Sequence, residues 1–164
     1  MKKIFYTATI LFSLTLSGVN AQEALPLGWH SSDIGSQDIP GNTTWDPEVE
    51  LFTLESTGDQ SPDFRPDNLH FAYTVQTGNF EIITLVSYVY GMGQMGYGLN
   101  PFEEGGIMIR EDLSPFAKTY YMSVQGGEGG IRYYVRDSED QDASNHPGEG
   151  AKGMQVPCWL KLKR

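Results

Sequence analysis

The sequence predicts an all-β domain, folded as an antiparallel sandwich or barrel. Three observations carry this. No segment holds a helical period over three turns. Runs that alternate apolar and polar residues recur at short intervals. Turn formers separate those runs, and the chain holds 19 Gly and 9 Pro beside 8 Phe, 9 Tyr and 3 Trp. That is the composition of many tight turns joined by aromatic-rich strands.

The first strand is expected over Trp45 to Ser56, with Val49, Leu51, Phe52 and Leu54 as its apolar set. Asn68 to Gln76 alternates Leu69, Phe71, Tyr73 and Val75 against His70, Ala72 and Thr74. Thr77-Gly78-Asn79 reads as a hairpin turn into Phe80–Tyr90. In that run Phe80, Ile82, Thr84, Val86, Tyr88 and Tyr90 share one parity. Gly106 to Arg110 is short and apolar. Lys118 to Gln125 sets Tyr120, Met122 and Val124 on one face. A glycine-rich turn, 126–130, leads to Ile131–Arg136, where Arg132, Tyr134 and Arg136 oppose Ile131, Tyr133 and Val135. The last strand covers Val156 to Lys163. Gly91–Pro101 and the acidic Asp137–Gly153 break the rhythm and read as long loops of the same domain.

The ends suggest an exported protein. Met1-Lys2-Lys3, an apolar run from Ile4 to Leu16, and Val19-Asn20-Ala21 form a secretory signal with cleavage expected after Ala21. The run is shorter than the roughly 20 apolar residues a membrane span requires. The domain is then 22–164, secreted or periplasmic, and membrane insertion is not expected. Loss of Lys2 and Lys3 leaves 9 Lys and Arg against 21 Asp and Glu, a net charge of −12. Nucleic acid and anionic lipid surfaces are excluded as partners on that ground, since both need a positive footprint. The single Cys158 rules out an internal disulfide and reads as a small buried apolar group.

Five segments in order resemble one family. They are Leu25-Pro26-Leu27-Gly28-Trp29 with Ser32-Asp33-Ile34-Gly35, then Asp67 to Tyr73, Gly78 to Val86, Gly105 to Leu113, and Pro157-Cys158-Trp159-Leu160-Lys161-Leu162. Together they resemble secreted bacterial domains of the concanavalin A-like lectin/glucanase superfamily, of the uncharacterised type labelled "regulation of enolase protein". The resemblance implies a jelly roll and a lectin-like, carbohydrate-binding role. It also implies closing strands after the one containing Trp159, so the chain is expected to lack its last strands. An accessory fragment of a glycoside hydrolase and a structural module of the cell envelope are the alternatives.

Site residues follow from chemistry. A retaining glycosidase needs two carboxylates on one face of the sheet. Glu103-Glu104 and Glu111-Asp112 are sequence neighbours, which point to opposite faces of a strand. No catalytic residues are therefore assigned. Stacking aromatics and hydrogen-bonding acids for a sugar are expected at Tyr97, Phe102, Glu103 and Glu104. Arg110 and Glu111 read as a structural ion pair. His30, His70 and His146 lack metal-ligand spacing. Asp137, Glu139, Asp140 and Asp142 are oxygen ligands of a kind that suits calcium. They lack the glycine and terminal Glu of an EF-hand loop, so a solvated loop is the simpler reading and no cofactor is assigned. A polysaccharide or other glycan is the expected partner.

Overall fold

A computed structural model describes the backbone of residues 5–8 and residues 24–58, 66–90, 103–125, 130–139, 142–147 and 153–164, the side chains of 145–147 excepted. Its strands are β1 (Phe5–Ala8), β2 (His30–Ile34), β3 (Asn42–Asp46), β4 (Leu51–Glu55), β5 (Leu69–Tyr73), β6 (Glu81–Val86), β7 (Glu104–Arg110), β8 (Thr119–Gln125), β9 (Gly130–Arg136), β10 (Ser144–Pro147) and β11 (Cys158–Lys163). The described residues contain no helix, and so none long and apolar enough to cross a membrane. The class is all-β and sandwich-like.

One sheet has the order β11-β6-β1-β4-β3, a second β10-β9-β8-β7, and a two-stranded sheet joins β2 to β5. Pairing is antiparallel except at β1, which runs parallel to β4 and β6. The β1 segment falls within the signal sequence expected from the ends of the chain. Alternation decides what faces inward. In β11, Cys158 and Leu160 are buried while Trp159, Lys161 and Lys163 are exposed. Ile107 and Val124 from one sheet meet Val86, Cys158 and Leu160 from the other and Val89 just beyond β6, with Met122, Ile131 and Leu162 packed around them. Each such aliphatic side chain contributes about 2 kcal/mol when withdrawn from water. Burial pushes the Cys158 thiol up, which suits a packing role.

Several expectations change. The run from Trp45 to Ser56 is a hairpin rather than one strand: Asp46 pairs with Leu51 and residues 47–50 form the turn. Gly78 does adopt positive φ, at 74°, but no hairpin is made there. The strand before it, β5, pairs with β2, and the strand after it, β6, pairs with β11 and β1. Parity in Phe80–Tyr90 holds only to Val86. Beyond the strand Val89 turns inward, while Tyr88 and Tyr90 lie exposed and stacked on each other, 6.0 Å apart.

Candidate functional site

Packing one face of β7, β8 and β9 onto the core directs polar side chains to the other. Register aligns Glu104 with Gln125, Ser123 with Arg132, Tyr121 with Tyr134, and Arg110 with Thr119 and Arg136 across the three strands. All of these lie on the face opposite Ile107, Val124 and Ile131. The result is a polar layer behind the apolar one, in which Thr119, Ser123, Gln125, Tyr134 and Arg136 are buried and Glu104, Arg110, Tyr121 and Arg132 are half-buried.

At one end of this face Glu104 gathers donors. Its Oε2 accepts hydrogen bonds from Ser123 Oγ and from the Tyr134 hydroxyl, both at 2.9 Å. Ser123 and Tyr134 are buried. Tyr121 stacks on Tyr134 with ring centroids 5.7 Å apart. Burial pushes the Tyr121 phenol well above its ordinary value, and the negative charge of Glu104 adds to the effect. The phenol therefore stays protonated at neutral pH. Gly106 sits on the same face and is exposed. A Cβ there would come within 2.0 Å of the Met122 carbonyl oxygen, so only glycine allows β7 and β8 to pair at this point. Arg132 Nε and Glu103 Oε2 are buried without a hydrogen-bond partner. Such atoms are rare in a finished interior.

At the other end the charges are sealed. Asp67, just before β5, receives Arg136 Nη2 at 2.6 Å and Arg110 Nη2 at 3.2 Å. Arg110 also donates to the carbonyls of Ser114 and Asp112, and its guanidinium lies 5.9 Å from the Phe71 ring centroid. Arg136 reaches the Ala117 carbonyl. One carboxylate thus serves two guanidinium groups, and the loop 111–118 closes over them.

A third polar chain links the small sheet to β3. His70 Nδ1 donates to Asp33 Oδ1 at 2.7 Å, and with the ring neutral His70 Nε2 accepts from Thr43 Oγ1 at 2.8 Å. The Gly41 amide donates to the same carboxylate at 3.0 Å. A Cβ on Gly41 would come within 2.4 Å of the His70 ring, so the glycine makes room for the imidazole. The hydrogen bond from His70 is the main cause of an Asp33 pKa below its ordinary value. Thr43 is buried, which makes this chain a tie between β2, β3 and β5 rather than a nucleophile with its base.

The expected site residues divide as follows. Glu104 lies at the start of β7 on the polar face, and Glu103 precedes it. Tyr97 and Phe102 fall outside the described residues. The pairing expected of Arg110 with Glu111 is corrected. Arg110 turns inward to Asp67, whereas Glu111 reaches Lys118 at 3.7 Å with both side chains half-exposed. Adjacent strand residues face opposite ways, so one cannot follow the other inward. In the acidic loop Asp137 accepts a hydrogen bond from Tyr120. Glu139 and Asp142 are exposed, and Asp140 lies outside the described residues. Among the described residues no group of three or more His, Cys, Asp or Glu side chains is placed to hold a metal ion. Sequence reading placed Arg132 and Tyr134 in a strand and Asp67 in a family-like segment but assigned no site role to them, nor to Tyr121 or Ser123. The shared parity of Arg132, Tyr134 and Arg136 was the available signal, but it does not say what lies opposite. No family model, curated protein or solved structure matches this chain.

Proposed function

We propose that the protein is an exported, non-catalytic jelly-roll module that binds glycan through the polar face of β7–β9. One observation carries the reading. One sheet face gathers a carboxylate, hydroxyls, an amide and a guanidinium beside stacked tyrosine rings; Glu104, Tyr121 and Arg132 are half-buried and Gly106 is exposed, while Ser123, Gln125 and Tyr134 lie buried behind them. Sugars offer dense hydroxyls on a partly apolar ring, and this mixture of groups meets both. Among the described residues Glu104 is the one acid on this face of the strands themselves, and Asp67 is neutralised by two arginines. Hydrolysis by paired carboxylates would require a second free acid roughly 5 to 10 Å away. Binding is therefore favoured over catalysis, and the family resemblance points the same way by analogy.

Calorimetric titration against plant and algal oligosaccharides tests the reading. Binding should weaken by about tenfold or more in Glu104→Gln, since hydrogen bonds to charged groups are worth about 1.5–3 kcal/mol. The thermal midpoint should fall only modestly, because the amide oxygen can still accept from Ser123 and Tyr134 through weaker, uncharged hydrogen bonds. A panel in which no glycan binds would remove this function and leave a structural module.

A further inference from the structure

The chain is acidic overall, yet three of its five arginines, Arg110, Arg132 and Arg136, project from one face of one sheet. Two of them share a single acid, Asp67, and that group carries a net positive charge. The third differs from them. Arg132 stands opposite Ser123, beside the Glu104 cluster, and its residue surface is only partly covered. Its Nε, like that of Arg136, is removed from water and has no hydrogen-bond partner, and what sets Arg132 apart is that Asp67 does not pair with it.

We infer that the ligand of this face is a carboxylate-bearing saccharide, a uronate, held through Arg132. The inference rests on the glycan-binding reading and narrows its substrate class. A guanidinium fork matches a carboxylate in two parallel hydrogen bonds, a match that a neutral sugar lacks. Nε is already desolvated in the free protein and adds no further cost on binding, and the fork is formed by the two Nη groups. The hydrogen bonds from the Ser123 and Tyr134 hydroxyls leave the negative charge of Glu104 in place, so Arg132 is the group that offsets its repulsion of a ligand carboxylate. The acidic surface elsewhere is screened over about 8 Å at physiological salt, so the local arginines set the field that a carboxylate meets on this face.

The test compares an oligouronate with a neutral oligosaccharide of the same length, by titration at low and high salt. The oligouronate should bind at least about tenfold more tightly, in keeping with a charge-assisted bidentate contact. High salt should reduce that preference. Arg132→Gln should abolish it without moving the thermal midpoint, and Arg132→Lys should keep the charge but lose most of the preference. If Arg132→Gln lowers the midpoint, the folded Lys variant decides the matter: an undiminished preference there overturns the fork. Equal binding of both sugars, unaffected by Arg132→Gln, overturns the uronate inference and leaves the glycan reading in place. Binding of neither overturns both.

Discussion

Arg136 Nη2 lies 2.6 Å from Asp67 Oδ1, and both side chains are completely withdrawn from solvent. The two residues are 69 positions apart. Their contact joins the end of β9 to the segment entering β5. Arg110 uses the other oxygen of the same carboxylate, so one acid ties together two strands and the loop 111–118.

Removing that acid should be severe. Asp67→Ala would leave two guanidinium groups facing each other without a counter-charge in the interior. Breaking one partner of a buried pair costs about 3–5 kcal/mol. Chemical denaturation should show a loss of that size, with the midpoint well below the parent. A loss under about 1 kcal/mol, the scale of an exposed pair, would mean that water reaches the cluster.

Acid should weaken the tie between β2 and β5. Asp33 has its carboxyl pKa below the ordinary value of 3.8, chiefly because it accepts a hydrogen bond from His70. A depressed acid pKa contributes stability above the unfolded value, and that contribution fades as pH falls through the folded one. The stability difference between the parent and Asp33→Asn should therefore be full at neutral pH and shrink below about pH 4. A difference that stays constant through the acid range would contradict the assignment.

Gly106→Ala should disrupt the β7–β8 ladder. The added carbon would collide with the Met122 carbonyl oxygen, a backbone atom that cannot rotate away. Overpacking of this kind costs about 1–3 kcal/mol, and the rigid partner places this site at the upper end. The melting temperature should fall clearly, and amide exchange should quicken in both strands. A parent-like melt would show that the strands can slide apart at low cost.

Glu50→Gly should be neutral or stabilising. Glu50 holds φ at 54° in the turn joining β3 to β4. A side chain in the left-handed region costs roughly 1–2 kcal/mol. Glycine removes that strain but loosens the unfolded chain by about 0.4–1 kcal/mol, so the net gain is small. The control Glu50→Val, with a branched side chain at the same φ, should destabilise. If Gly were the more damaging of the two, strain would not govern this turn.

Alternation along the chain determined the class of the protein and most of its strands. Gly106–Arg110, Lys118–Gln125 and Ile131–Arg136 were legible because period-2 patterning is local and depends only on which faces are wet and dry. The same patterning put Arg132, Tyr134 and Arg136 on one face before any pairing was known. It did not separate β3 from β4, since both halves of that run are apolar enough to read as one. It missed β2 and β10, whose HSSDI and SNHP sequences carry little apolar signal. Only the tertiary structure decided that Thr77-Gly78-Asn79 joins two different sheets, that Arg110 answers Asp67 instead of Glu111, and that Glu104 meets Ser123 and Tyr134. The physical reason is that many strand orders satisfy the same alternation. Closing a longer loop costs only about 0.6 kcal/mol per doubling of its length. Sequence separation therefore discriminates weakly between partners, and burial of whole faces against one another makes the choice.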